Sequence, residues 1–129
     1  MSSPKEHKEA RTLLLNMREL LSRSGVWCQG SHAKDSAGKI VLPGNSSAVQ
    51  FCVVGALRRL SRYEEANALP VLELLYTAVR HRYSCPPGFA LVPSHQAMAE
   101  FLAEWNDGMV RGLIDVLNVI DDALELTHA

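Results

Sequence analysis

The feature that most constrains the fold is a run of apolar residues from Val49 to Leu57. Read at helical spacing, this run leaves almost no polar face before Arg58. A helix that is apolar all round is normally buried on every side. Ser47 opens a Ser-x-x-Gln capping-box pattern, which predicts that the helix runs from Ser47 to about Leu60. We therefore expect other parts of the chain to surround this helix.

Gly55 lies inside the apolar run, where a glycine costs about 1 kcal/mol of helix stability relative to alanine. A backbone segment that approaches closely would compensate for this cost, because only glycine lacks the Cβ atom that would block the approach. We therefore expect another segment of the chain to lie directly against Gly55.

Four more segments have the apolar periodicity and the end signals of helices. Pro4 suits the first helical position after a capping Ser3, and Gly25 can end this first helix in the left-handed conformation. Ser94 can cap a fourth helix, and Asp107 can cap a fifth. The predicted helices cover residues 4–24, 70–83, 94–105 and 108–127, and residues 61–69 form a short helical turn or linker.

Residues 26–47 show no sustained period. The stretch 35–38 has turn chemistry, and 40–42 is a short β-prone run that a Pro-Gly pair stops. The segment is either one small hairpin or an ordered loop, and ordered segments of this length are often functional. The predicted fold is therefore mainly α: a single helical domain over 1–129, built as a compact bundle of about five helices with this loop after helix 1.

The overall composition excludes several classes of protein. The chain of 129 residues is long enough to bury a core without disulfides or metals. A formal net charge of -1 gives no general attraction to nucleic acid, and no apolar run reaches the roughly 20 residues of a membrane helix. The first residues lack a signal peptide, and three cysteines do not make a disulfide scaffold. We expect a cytoplasmic protein that has no cofactor and binds neither nucleic acid nor membranes.

The residue types that bind zinc occur at Cys28, His32, Cys52 and Cys85. Structural zinc sites use four ligands, usually in close pairs, and this spacing does not provide the pairs, so we predict no metal. A thiol, a base and a carboxylate also occur at Cys28, His32 and Asp35, but catalytic groups of this kind are usually distant in sequence. Asp35 is better explained by an Asx-turn that shapes the loop, and His32 by a hydrogen bond in the loop.

Trp105-Asn106-Asp107 stands where the fourth helix meets the fifth. In a structural interpretation, Trp105 packs in the core, Asn106 takes an unusual backbone angle and Asp107 caps the next helix. In a functional interpretation, the two polar side chains line a cleft opposite the loop that begins at Trp27. The sequence leaves both interpretations open.

Basic residues form two short clusters near predicted helix C-termini. The clusters are Arg58, Arg59, Arg62 and Arg80, His81, Arg82. Cations at a helix C-terminus complement the helix dipole and need no other partner. If the two helix ends adjoin, the same residues would form a patch for phosphate or for an acidic protein.

Three blocks of residues follow one another in a distinctive order. They are W-x-x-G-x-x-A-x-D-x-x-G (Trp27, Gly30, Ala33, Asp35, Gly38), A-x-x-F-C-x-x-G-A-L (Ala48, Phe51, Cys52, Gly55, Ala56, Leu57) and W-N-D (Trp105, Asn106, Asp107). In this order they resemble an uncharacterised family of small proteins met in bacterial and phage genomes. That family tends to continue after W-N-D with a Pro-containing turn and a Thr, whereas Gly108 follows here. The resemblance implies no catalytic residues; it implies a setting in which small proteins bind and block larger ones.

The fifth helix is apolar over most of its circumference, which is more than one core can cover. Met109, Val116 and Val119 lie away from its main apolar stripe, so either other helices wrap them or they meet a partner. Closed homodimers are the commonest soluble oligomers. We therefore predict a homodimer or a partner interface through these three residues.

As function, we predict a small binding or regulatory protein that acts through protein-protein contacts, for example as a phage or mobile-element inhibitor of a larger host complex. Its candidate binding residues are Trp27, His32, Asp35, Arg58, Arg59, Arg62, Trp105, Asn106 and Asp107. The alternative is a small enzyme with its site between the Trp27–Asp35 loop and Asn106–Asp107, and we assign it no catalytic residue. An enzyme needs a concave pocket in which polar groups converge, whereas a binder can use an exposed patch.

Overall fold

The computed structural model describes residues 4–83 and 94–128 of the chain. Within these ranges the elements are α1 (Pro4–Ser22), β1 (Ala33–Lys34), β2 (Gln50–Phe51), α2 (Val53–Ser61), α3 (Glu65–Tyr83), α4 (His95–Gly108) and α5 (Leu113–Leu126). The prediction of a mainly α fold with about five helices is confirmed. The sheet between α1 and α2 has only two strands of two residues each.

The core surrounds α2, which contacts α1, α3 and α4. Every residue from Val53 to Leu57 is buried, as the apolar run predicts. From α1, Leu14, Met17 and Leu21 pack into the same core. Each large aliphatic side chain buried in this way stabilises the fold by about 1.5–3 kcal/mol. Burial of this one short helix is therefore a main reason for the arrangement of the others.

The predicted start of the second helix at Ser47 is wrong. Gln50 and Phe51 form β2, and α2 begins only after Cys52, whose sulfur accepts a hydrogen bond from the Gly55 N–H at 3.3 Å. The backbone before α2 is extended because it pairs with the loop. The Cys52 N–H donates to the His32 carbonyl at 3.1 Å. This pairing replaces the first helical turn that was predicted. The sequence around Ser47 gives no sign of it, because the pairing partner lies elsewhere in the chain.

The predicted boundaries of the other helices need smaller corrections. The first helix ends at Ser22, although Gly25 does take the left-handed conformation expected of it. Ser94 caps α4 as predicted, by accepting from the Ala97 N–H at 3.1 Å. Ser3, the predicted cap of α1, and Cys85 lie outside the described residues.

The prediction of a short helical turn or linker over 61–69, with a new helix from Pro70, needs correction because residues 65–69 are the first part of α3. Pro70 therefore lies in the second turn of this helix rather than at its start. Proline at this position has no N–H to donate to the Ala66 carbonyl. The helix nevertheless continues through it, with Val71 and Leu75 buried in the core.

The predicted junction between the last two helices is also wrong. α4 continues through Asn106 and Asp107 to Gly108, so Asp107 does not cap α5. The N-cap of α5 is Gly112, which has no side chain to accept a hydrogen bond. The loop that precedes α5 is instead held by Asp115, whose carboxylate accepts from the Arg111 N–H at 2.8 Å.

The interface predicted through α5 is corrected by the packing of that helix. Val116 and Val119 are fully buried, because α1 and α3 both pack on α5. Neither residue is available to a second copy of the chain, and only Met109 of the predicted three is exposed. Two ion pairs hold α5 in place: Arg18 with Asp121 at 2.7 Å, and Arg82 with Asp122 at 2.6 Å.

The segment between α1 and α2 is an ordered loop that contains the small sheet. β1 pairs antiparallel with β2, with Ala33 opposite Phe51. Asp35 forms the predicted Asx-turn, since its Oδ1 accepts from the N–H groups of Ala37 and Lys39 at 2.9 Å. The β-prone run 40–42 takes part only through a single bridge between Ile40 and Lys34. None of the helices in the described ranges is long and apolar enough to cross a bilayer.

Candidate functional site

Gly55 sets the distance between the loop and α2. A Cβ atom at this position would overlap the carbonyl oxygen of His32. The predicted close approach of another backbone segment is thereby confirmed, and the segment is the one that carries His32. The loop can lie against α2 only because residue 55 has no side chain.

A cluster of polar side chains fastens the loop to α4, and we call Trp27, Asn106 and Asp107 the clasp. The Asn106 side chain is fully buried, and its Oδ1 accepts from the Trp27 indole N–H at 2.9 Å and from the Val53 N–H at 3.2 Å. Its Nδ2 donates to the Cys28 carbonyl at 3.1 Å and to the Asp107 carboxylate at 3.0 Å. The amide has two donors and two acceptor positions, and all of them are used.

Asp107 and the backbone of α4 extend the clasp along the loop. The Asp107 Oδ1 accepts from the Gly30 N–H at 2.9 Å, and the Gln29 side chain donates to the Asn106 carbonyl at 2.8 Å. Trp27, Asn106 and Asp107 are thus brought together, but they bond to each other and to the loop backbone. Direct hydrogen bonds occupy the place where the sequence suggested a cleft.

A concave site is also present, and we call it the groove. It has a volume of about 580 Å³ and lies between α2, the first half of α3 and α4. Apolar residues of all three helices form its floor: Val54, Leu57, Ala68, Leu69, Leu72, Ala99 and Ala103. Ionisable and polar residues also line it: His32, Arg58, Tyr63, Glu65, His95, Glu100 and Glu104. A pocket of this size and composition is typical of ligand-binding sites.

Arg58 is the unusual residue of the groove. Its Nε is buried, and the described residues give this atom no hydrogen-bond partner. The ion pairs in the described part of the chain do not include Arg58 either. A buried donor without a partner costs about 1–3 kcal/mol. A guanidinium that lines a concave site and has an unpartnered Nε is therefore a candidate anchor for an anion.

His32 faces the same groove from the loop. Burial lowers the pKa of its imidazole from the ordinary value of 6.5, the positive charge of Arg58 lowers it further, and Asp107 partly opposes both. The ring is therefore neutral at neutral pH, with one nitrogen free to accept a proton or a hydrogen bond. Further along the groove, the His95 Nδ1 lies 3.6 Å from a Glu65 carboxylate oxygen.

The remaining predicted binding residues have other positions. Arg59 donates to the Pro43 and Asn45 carbonyls at 3.0 and 2.8 Å, so it supports the loop rather than the groove. Arg62 is an exposed C-cap residue with φ +56°. Trp105 is buried and packs edge-on against Tyr83. In the second basic cluster Arg82 pairs with Asp122. Arg80 lies over the Tyr76 ring, and its Nε, like that of Arg58, is buried without a hydrogen-bond partner in the described residues, but Arg80 does not line the groove.

Several groove residues were missed by reasoning from the sequence. Tyr63 precedes α3, Glu65 begins it, and three more residues lie along α4: His95, Glu100 and Glu104. No spacing in the sequence relates them to His32 or Arg58. The one available signal was the pair Arg58 and Arg59. A helix dipole explains such a pair, so the groove could not be inferred from it.

The surroundings of the cysteines in the described ranges make their thiols unreactive. Cys28 and Cys52 are both free and buried. Burial raises the pKa of the Cys28 thiol, and it raises that of Cys52 to about 11. Both therefore remain protonated, whereas a nucleophile or a metal ligand must be a thiolate. Within residues 4–83 and 94–128 no group of three or more His, Cys, Asp or Glu side chains is placed to hold a metal ion.

Together the fold and the groove define a small helical protein with a partly charged concave site on α2. Its sequence matches the family of unknown function DUF6197 over residues 5–126, and the chain belongs to that family. Comparison with curated proteins gave no match, and neither did comparison with solved structures.

Proposed function

We propose that this protein is a small binding and regulatory protein whose groove takes a segment of a partner protein. The observation that carries the proposal is Arg58, a cation in the wall of a concave site with a buried Nε that lacks a partner in the described residues. A partner that supplies a carboxylate would pair with the guanidinium of this residue. Charge-assisted hydrogen bonds of this kind are about twice as strong as neutral ones.

The lining of the groove indicates the chemistry of the segment. The apolar floor favours one or two aliphatic or aromatic side chains, which would displace water from Leu57 and Leu72. Arg58 favours an acidic group close to them. Glu100 and Glu104, which come from α4, favour basic residues elsewhere in the segment. An apolar segment with charges of both signs matches this arrangement.

The same arrangement suits a regulator better than a structural protein. The groove is already formed in the free chain, because the clasp and Gly55 hold the loop against α2. A preformed site loses little entropy on binding. The resemblance of the three sequence blocks to small bacterial and phage proteins favours an inhibitor of a larger host complex as the particular form of this regulation.

Site-specific photo-crosslinking tests the proposal in cells of the source organism. A benzophenone amino acid replaces Gln96, an exposed residue beside the groove, and in a control it replaces Asn16, an exposed residue of α1. We expect one partner protein to crosslink through residue 96 and not through residue 16. The Arg58→Met variant should reduce this crosslink by about tenfold, the loss expected for one charged hydrogen bond. Equal crosslinking at both positions, or no effect of Arg58→Met, would refute the groove as the docking site.

A small enzyme remains the second candidate, because one observation favours it. His32 is held neutral in a concave site beside a cation, which is how a general base is prepared. The test is incubation of the protein with a metabolite extract, followed by mass spectrometry. A compound that the parent consumes and that His32→Gln leaves unchanged would favour the enzyme over the binder.

A further inference from the structure

The loop has a free strand edge on the side opposite to β2. Residues 39–42 run antiparallel to β1, and two hydrogen bonds join them to it. The Asp35 N–H donates to the Lys39 carbonyl at 2.9 Å, and the Val41 N–H donates to the Ala33 carbonyl at 3.2 Å. Between these bonds Ile40 lies opposite Lys34. We call residues 39–42 the outer edge.

This bonding pattern determines where the backbone of Ile40 points. In an antiparallel ladder, a residue between two such bonds directs its own N–H and C=O away from the neighbouring strand. The described residues provide no hydrogen-bond partner for either group of Ile40. Leu42 adds no free carbonyl, because that group accepts from the Asn45 N–H at 2.9 Å. The two unpaired groups of Ile40 are nevertheless a short template on which another strand can pair.

The side chains of the outer edge are apolar and unusually exposed. Leu42 is 73% exposed and Ile40 67%, the two highest values for large hydrophobic residues in the described ranges. Tyr63 is about half exposed as well. Tyr63 belongs to the same surface because its hydroxyl accepts from the Gly44 N–H at 3.2 Å. Contiguous exposed apolar residues of this kind mark interaction sites.

The charge around the outer edge is positive although the chain is slightly acidic. Lys34 lies opposite Ile40, and the carboxylate of its neighbour Asp35 accepts from two backbone N–H groups, whereas the whole chain has a formal net charge of -1. Lys39 lies in the outer edge itself and is exposed. A second copy of this chain would bring two positive loops together. An acidic segment is complementary to them.

We propose that the outer edge is a docking site for an extended segment of a partner protein with alternating acidic and apolar residues, which adds to the sheet as a further strand. The backbone of Ile40 supplies the pairing, Ile40 and Leu42 the apolar contact, and Lys39 the preference for acidic residues. The edge is held ready because Arg59 bonds to the carbonyls of Pro43 and Asn45. This site is separate from the groove, and it stands whether or not the groove binds a partner.

The probe for this site is a synthetic octapeptide of alternating glutamate and valine, with a lysine and valine peptide as its control. Amide exchange of the parent protein is followed by nuclear magnetic resonance. We expect the acidic peptide to shift the Ile40 and Leu42 amide signals and to slow the exchange of the Ile40 N–H, while the basic peptide does neither. Slower exchange that depends on protein concentration alone would assign the edge to a second copy and overturn the proposal.

Two substitutions separate the backbone contribution from the charge contribution. Ile40→Pro removes the outward N–H, leaves the Val41 bond to β1 in place, and should weaken binding of the acidic peptide by about tenfold. Lys39→Glu leaves the backbone unchanged and should weaken binding by a similar factor at low salt. Ile114→Ser, at an equally exposed isoleucine of α5, is the control and should have no effect. Unaltered peptide affinity in Lys39→Glu, or an equal loss in Ile114→Ser, would refute the proposal.

Discussion

The clasp and the groove both involve the helices α2 and α4, but they differ in whether their buried polar groups have hydrogen-bond partners. In the clasp every donor and acceptor of the Asn106 side chain has a partner. In the groove the buried Nε of Arg58 has none among the described residues. Buried polar groups stabilise a fold only when they are satisfied. The comparison therefore separates a polar cluster that serves the structure from one that is available to a ligand.

The largest effect is expected at Gly55, which both regions need because it lets the His32 segment lie on α2. In Gly55→Ala the new methyl group would overlap the His32 carbonyl oxygen, so the loop must move. We expect the free energy of unfolding, measured by urea denaturation, to fall by about 3 kcal/mol. Gly108→Ala is the matched control, since a Cβ there meets nothing within 4 Å. A loss below about 1 kcal/mol in Gly55→Ala would contradict the close approach.

A somewhat smaller loss is expected in the clasp. Asn106→Leu leaves the Trp27 indole, the Val53 N–H and the Cys28 carbonyl without their partners, and should lower the free energy of unfolding by about 2–3 kcal/mol. The fluorescence of Trp27 should change at the same time, because its indole is released from the clasp. Asn118→Leu on α5 is the control, as the described residues give its side chain no hydrogen bond. If both variants are equally stable, the clasp does not hold the loop.

The comparison predicts almost no loss of stability for Arg58→Met. This change removes a charged group whose buried Nε has no partner and leaves a long apolar side chain, so the free energy of unfolding should stay unchanged or rise by about 1 kcal/mol. Urea denaturation beside Asn106→Leu tests the contrast directly. A loss as large as that of Asn106→Leu would mean that Arg58 is a structural residue, and the distinction between the two regions would fail.

The smallest effect is a dependence of stability on pH that arises in the groove. Burial and then Arg58 lower the pKa of His32 in the folded protein, so the folded state binds fewer protons than the unfolded state near pH 6.5. The contribution of His32 to the free energy of unfolding is fully present above pH 6.5. It is lost as the pH falls through the pKa that His32 has in the folded protein. His32→Gln should flatten this part of the curve. In Arg58→Met the His32 imidazole resonances, followed by nuclear magnetic resonance, should titrate at a higher pH than in the parent. An unchanged titration would mean that Arg58 lies too far from His32 to lower its pKa.

Local patterns in the sequence predicted the parts of the fold that local interactions determine. The burial of residues 53–57, the close approach at Gly55, the Asx-turn of Asp35 and the cap at Ser94 all depend on a few neighbouring residues. The start of α2 was mispredicted because the Cys52 N–H bonds to His32, twenty positions earlier in the chain. The boundary after α4 was mispredicted because Asp107 was expected to cap α5, whereas α4 continues to Gly108 and the Asp107 carboxylate accepts from the Gly30 N–H of the loop.

The candidate site was less predictable than the fold. His32 and Arg58 were named from the sequence as binding residues, but nothing placed them in one groove with Glu65 and His95. These residues are brought together by the packing of the loop on α2 and of α2 against α3 and α4, which sequence spacing does not encode. The outer edge was visible only as a β-prone run over 40–42. Only the hydrogen bonds on either side of Ile40 show that the N–H and C=O of this residue point away from β1.

The attachment of α1 to α5 has a consequence for the synthesis of the chain. Arg18 pairs with Asp121, and Arg11 donates to the Thr127 hydroxyl at 3.2 Å, so the contacts join residues more than a hundred positions apart. The ribosome must therefore release α5 before the apolar face of α1, with Leu14 and Met17, can be covered on that side. Until then the nascent chain exposes a surface that chaperones bind and that promotes aggregation. A chain interrupted before α5 should consequently accumulate as insoluble or degraded protein rather than as a smaller folded one.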